Sequence, residues 1–226
     1  MGFLLYLDTI LVPSSLFLTI GYHALLWHCF KTKPSLTTIG MNVQRRRAWL
    51  QQMSKGDSKK AMLAVQSLRN TLISTILTAW LVTLMTLAMG ALINNTYNAG
   101  HLFSNKIFGS QSGMILMLKY GSVSLFLLAS FLCSSVALGC LIDANFLINA
   151  PGEFSPFASG HTERMLERGF LLAVAGNRVL CIAIPLLLWM FGPVLVLFSS
   201  MALVWGLYIL DFASMKMKCS VENTSC

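Results

Sequence analysis

The chain has 226 residues, of which 56% are hydrophobic and only 11% charged, with a mean hydropathy of +0.70. A water-soluble protein of this length could not hide so much apolar surface, which excludes a soluble globular domain. The net charge of +8 sits beside an apolar run rather than along a folded basic face, which argues against nucleic acid as a partner.

A bilayer core of about 30 Å needs about 20 apolar residues per helix. The first run of that kind covers residues 3–30. It has no basic leader and no small-residue cleavage site, and it carries Asp8 early, so it reads as a retained span rather than a signal peptide.

Residues 31–69 hold nine basic side chains against Asp57 alone. Short loops of this kind stay on the cytosolic side, which places the N-terminus in the lumen. Within the loop, Val43, Leu50 and Met53 recur at near-helical spacing around Arg45, Arg46 and Arg47, with Trp49 beside them. That pattern predicts an interfacial helix whose basic patch rests on an anionic leaflet. Ser54-Lys55-Gly56-Asp57 breaks it, and the next helix is expected from about Ser58.

The second span covers residues 71–93. It continues a cytosolic helix without a breaker, and Gln66, Asn70, Ser74 and Thr78 repeat along it every four residues. Such a stripe either packs against neighbouring helices or lines a hydrated path, and these four are the candidate pore-lining residues. The following lumenal loop carries a glycosylation sequon at Asn94-Asn95-Thr96.

The third span, 114–148, is interrupted by Lys119 near its start and Asp143 near its end. Ser135, Gly139 and Asp143 fall on one face, where small residues permit close helix contact. A carboxylate at this depth should meet protein, a cation or water, and Arg178 is the expected internal partner. The loop after it returns to the cytosol and carries Glu153.

The last run, 170–211, is the ambiguous one. Residues 179–210 carry no charge and would make a helix of roughly 48 Å, longer than one bilayer core. Pro185 and Gly192-Pro193 predict kinks. One long kinked span is the first reading, and a tight re-entrant pair giving five spans is the second. Four spans put both termini in the lumen, with a second sequon at Asn223 and a disulfide available to Cys219 and Cys226. Lys216 and Lys218 weigh mildly against that side.

Catalytic constellations are missing. His23 and His28 are five apart and diverge on a helix, and no P-loop, Rossmann or nucleophile-elbow pattern occurs. No enzyme, resident metal or cofactor is therefore expected. The fold expected is an all-α polytopic helix bundle forming one transmembrane domain over residues 1–226.

Several strings resemble a plant family of multispanning membrane proteins catalogued only as a domain of unknown function. They are Tyr22-His23-Ala24-Leu25-Leu26, Thr38-Ile39-Gly40-Met41-Asn42, Arg47-Ala48-Trp49 and Ala64-Val65-Gln66-Ser67-Leu68-Arg69-Asn70. Ile148-Asn149-Ala150-Pro151, Arg168-Gly169-Phe170, Gly176-Asn177-Arg178 and Leu188-Trp189-Met190-Phe191-Gly192-Pro193 continue the likeness over nearly the whole chain. The resemblance extends to a member that acts in plant immunity as a pentameric endoplasmic-reticulum cation channel passing calcium. It implies a homo-oligomer, a pentamer by that likeness, in the endoplasmic-reticulum membrane with Ca2+ as permeant ion.

The filter residues do not follow from the resemblance and are assigned from charge. With eight acids in the chain, Asp8, Asp143 and Asp211 at membrane boundaries and Glu153 in the cytosolic loop are the candidate selectivity residues, because rings of carboxylates attract divalent cations. A membrane scaffold or signalling adaptor working through its basic loop is the alternative.

Overall fold

The computed structural model describes residues 2–53, 58–98, 113–149 and 160–212. They form helices α1 (Gly2–Thr32), α2 (Thr38–Met53), α3 (Ser58–Asn98), α4 (Gly113–Asn149), α5 (His161–Leu188) and α6 (Pro193–Asp211), with a 3-10 turn at Pro34–Leu36. Five of these are long and apolar enough to cross a bilayer: Asp8–Thr32, Val65–Asn94, Met114–Ile148, His161–Leu188 and Pro193–Asp211. The chain is thus a polytopic helical protein, and its many outward apolar side chains, Phe17, Leu77, Trp80 and Phe198 among them, suit contact with lipid.

The number of spans differs from the four-span expectation, and the reason is local. Helix α5 stops at Leu188 and α6 begins at Pro193. Between them the amides of Trp189, Met190, Phe191 and Gly192 bond to carbonyls three residues back, which tightens the chain into turns. Gly192 then takes φ 148°, a backbone state open to glycine and strained for other residues. Pro193 follows at the first turn of α6, the position where its missing N–H costs nothing. Together they end one helix and start another, where a proline alone only bends: Pro13 and Pro185 both lie inside continuous helices. Near Pro13 the hydroxyls of Ser14 and Ser15 bond to the carbonyls of Ile10 and Val12.

Contacts divide the chain into two compact units, one built from residues 1–45, 101–119 and 184–226 and the other from 46–100 and 120–183. In the first, α1 packs along α6, with Val12, Ser15, Thr19 and Leu26 of α1 and Val196 and Ser200 of α6 buried. Two polar contacts fix the register. Trp189 Nε1 donates to Asp8 Oδ1 at 3.0 Å, and Tyr22 Oη donates to Asp211 Oδ2 at 2.6 Å. Because both helices run upward between these contacts, α1 and α6 are parallel. The Thr38 hydroxyl at the start of α2 bonds to the carbonyls of Leu210 and Asp211 at 2.8 and 3.0 Å, so α6 ends beside the start of the basic segment. Buried Thr37 caps α2 by accepting the Gly40 amide at 3.2 Å, and a Cβ at Gly40 would lie 2.2 Å from the Pro34 carbonyl oxygen.

The second unit has its own apolar core of Leu68, Leu141, Ala144 and Leu166, flanked by Trp49, Leu72, Ile148 and Met165. Trp49 was expected at the headgroups; here it packs on helix side chains, so this part of α2 is docked on the bundle. Helices α4 and α5 cross closely at two glycines. The Ser130 hydroxyl donates to the Gly176 carbonyl at 2.7 Å, and a Cβ at Gly169 would lie 2.9 Å from Leu141 Cγ.

Candidate functional site

Helix α3 turns its polar stripe toward α5. Ser67, Asn70, Thr71, Ser74, Thr75 and Thr78 recur on one face at three- and four-residue steps, and Phe170, Ala173, Val174 and Asn177 do the same on α5. Between them lies a cleft of about 410 Å³, and α2 contributes Arg46. The volume falls within the range of small-ligand sites.

Among the described residues, Arg46 is the only ionisable group lining the cleft. Both its terminal nitrogens donate to the Thr71 hydroxyl at 3.3 Å, and its guanidinium stacks over the Phe170 ring, 4.1 Å from the centroid. Burial holds its pKa below the ordinary arginine value, yet arginine stays protonated in proteins. Its neighbour Arg47 behaves differently. Arg47 grips Glu167 through two nitrogens at 3.0 and 2.6 Å, with Glu163 at 4.0 Å. The hydrogen bond to Glu167 raises the Arg47 pKa. The pair is partly exposed at the surface and contributes about 1 kcal/mol at most. Arg45 is exposed. The three arginines expected to form one membrane-surface patch thus have three different surroundings.

Of the stripe read from the sequence, Asn70, Ser74 and Thr78 line this cleft, while Gln66 is exposed and outside it. The Thr71, Thr75 and Thr78 hydroxyls donate back to carbonyls four residues earlier on α3. Sequence reading assigned Phe170, Ala173 and Asn177 no role at a site; their three- and four-residue steps facing the stripe were the available signal.

The candidate carboxylates separate as well. Asp8 and Asp211 are 4% and 2% exposed and are held by Trp189 and Tyr22 inside the first unit. Lys119, 2% exposed, adds to the Asp8 cluster: its ammonium lies 5.5 Å from the Trp189 ring centroid and is attracted by the Asp8 carboxylate. Asp8 and Asp211 lie at opposite ends of the parallel α1–α6 pair, beside Trp189 and Tyr22 respectively. Asp143 is exposed on α4, as are Ser135 and Gly139 on the same face. Within this unit Arg47 pairs with Glu167. Glu153, Cys219, Cys226, Lys216, Lys218 and the Asn223 sequon lie outside the described residues. Asn94 lies near the end of α3, in helix rather than in the loop expected for its sequon.

A family profile described as "Protein of unknown function, DUF599" matches residues 10–216. Neither a curated protein nor a solved structure matches the chain.

Proposed function

We propose, starting from the fact that this chain belongs to the DUF599 family of proteins of unknown function, that it is the subunit of an oligomeric cation channel rather than an enzyme. The observation that carries this reading is the exposed face of α4. Ser135, Gly139 and Asp143 are all exposed, and a Cβ at Gly139 would meet nothing within 4 Å. A carboxylate on an apolar helix is costly against lipid, and a second copy meeting this face would cover it while repeating Asp143 around a ring. Such a ring concentrates cations. The likeness of the sequence to the plant immunity channel WeiTsing adds calcium as permeant ion, the endoplasmic reticulum as membrane and five as subunit number. Asp8 and Asp211 contribute to folding in this reading, and Asp143 is the selectivity residue among the described carboxylates.

The test uses the purified full-length protein in planar bilayers with calcium and potassium gradients, alongside its mass in nanodiscs. Asp143→Asn is expected to shift the reversal potential toward lower calcium permeability while the assembly keeps its size. Gly139→Leu, at a position where an added Cβ meets nothing within 4 Å, is expected to dissociate the assembly without unfolding the subunit. A monodisperse wild-type monomer, or unchanged calcium selectivity in Asp143→Asn, would sink the proposal.

Five crossings also set the topology we propose. With the basic segment cytosolic, the N-terminus is lumenal and the chain after Asp211 is cytosolic, the side that suits Lys216 and Lys218. The Asn223 sequon then goes unused. Labelling of single cysteines introduced by Ser54→Cys, Gly109→Cys and Ser220→Cys in a cysteine-free background is expected to place Ser54 and Ser220 together and Gly109 apart. Ser220 labelled with Gly109 would restore the four-span arrangement.

A further inference from the structure

The cleft over Arg46 serves neither the α4 face nor the α1–α6 lock, and α4 contributes nothing to its lining. Its chemistry is specific. The described surroundings of Arg46 are a hydroxyl and an aromatic ring, neither of which carries a negative charge. The neighbouring Arg47 has its charge matched by Glu163 and Glu167, so the acids of this region are already engaged. Among the described residues no carboxylate lines the cleft. A half-buried guanidinium at the wall of a cleft, with no anion among the described residues lining it, favours an anionic ligand over a cation.

Donors are present around it. Ser67, Asn70, Ser74 and Asn177 are exposed along the cleft, and their hydroxyls and amides can donate to an oxyanion. The guanidinium keeps its remaining N–H groups, in the fork geometry that suits phosphate oxygens. Ser67 lies near the start of the Val65–Asn94 span and Thr78 near its middle, while Ala173, Val174 and the Phe170 ring supply apolar wall. The cleft thus runs inward from the membrane boundary between polar and apolar walls, with the guanidinium near its outer end. Basic pockets between spans on the cytosolic side are suited to anionic headgroups.

We propose that this cleft is a binding site for a phosphate group, with Arg46 as the charge-bearing ligand and Asn70, Ser74 and Asn177 as the donors that orient it. The phosphate can be that of an anionic phospholipid or of a small soluble phosphate ester. The inference stands independently of the channel reading, because its readout is binding.

The full-length protein in mild detergent is incubated with phosphatidic acid or phosphatidylcholine, and retained lipid is counted by native mass spectrometry. Wild type is expected to retain phosphatidic acid and not phosphatidylcholine. Arg46→Gln should lower that retention about tenfold, the loss of one charge-assisted contact, and Arg46→Lys should recover part of it. Ser74→Leu and Asn177→Leu fill the cleft without touching Arg46 and should also lower retention, which keeps the test decisive if Arg46→Gln fails to fold. Arg45→Gln should leave it unchanged. Excess glycerol 3-phosphate separates the two sources: displacement of the lipid supports a soluble ester, and persistence of the lipid supports the bilayer. Equal retention of both lipids by wild type overturns the proposal. So does undiminished phosphatidic acid on Ser74→Leu and Asn177→Leu, or a loss in Arg45→Gln as large as in Arg46→Gln.

Discussion

Lys119→Met is expected to destabilise the folded protein by about 3–5 kcal/mol, the usual consequence of removing one partner from a buried charged pair. Lys119 and Asp8 are 2% and 4% exposed, and Trp189 touches both, donating to Asp8 at 3.0 Å and facing the ammonium with its ring. Without Lys119 the Asp8 carboxylate keeps the indole hydrogen bond but loses its counter-charge in a setting with little water. Asp8→Leu should be as harmful, because it removes a carboxylate that attracts the buried ammonium. The double variant Asp8→Leu/Lys119→Met removes both charges and should return most of the stability, since well-packed apolar replacements of buried pairs are often neutral. Thermal unfolding in nanodiscs reads the result, a fall of roughly 6–20 °C for either single variant if soluble-protein scaling applies. Additive losses in the double variant would show that the two charges do not act as a pair.

That cluster also shows where reading the sequence stopped. Hydropathy located α1, α3 and α4 well, because long apolar runs between polar loops leave little choice of register. The spacing of Val43, Leu50 and Met53 found α2, and the Ser54–Asp57 interruption placed the start of α3 at Ser58. The last uncharged stretch was harder. Depth and hydropathy are the same for one kinked span and for two helices, and the choice depended on Gly192 adopting a positive φ just before Pro193. Partners of charged residues were the least legible. Depth along a span says nothing of which way a side chain faces around its helix, and Asp143 is exposed on α4. Lys119 and Asp8 meet through tertiary packing that no local pattern encodes. The polar stripe on α3 was visible from its four-residue repeat, whereas the guanidinium over it comes from a separate helix.

Gly176→Val is expected to pry α4 from α5 at their closest approach. A Cβ at Gly176 would lie 2.7 Å from Ser134 Oγ, 3.2 Å from the Ser130 carbonyl oxygen and 3.3 Å from the Ser134 amide nitrogen. Two of those atoms are backbone and cannot rotate away. Even Gly176→Ala therefore overpacks the crossing, at a cost of about 1–3 kcal/mol. Valine adds two methyl groups and should also break the 2.7 Å bond from Ser130 to the Gly176 carbonyl, worth about 0.6 kcal/mol on average inside membranes. Ser134→Ala deletes the nearest atom and should restore part of the stability of Gly176→Ala, leaving the backbone contacts as the residual cost. Gly121→Ala is the matched control: it sits on the same α4 with nothing within 4 Å, so it should be neutral or slightly stabilising, as Gly→Ala is in an open helix position. Unfolding temperatures of the four variants in one lipid composition decide the matter. If Gly176→Ala matched Gly121→Ala, the α4–α5 crossing would not be a tight contact, and the placement of Asn177 in the cleft one residue further along α5 would lose its support.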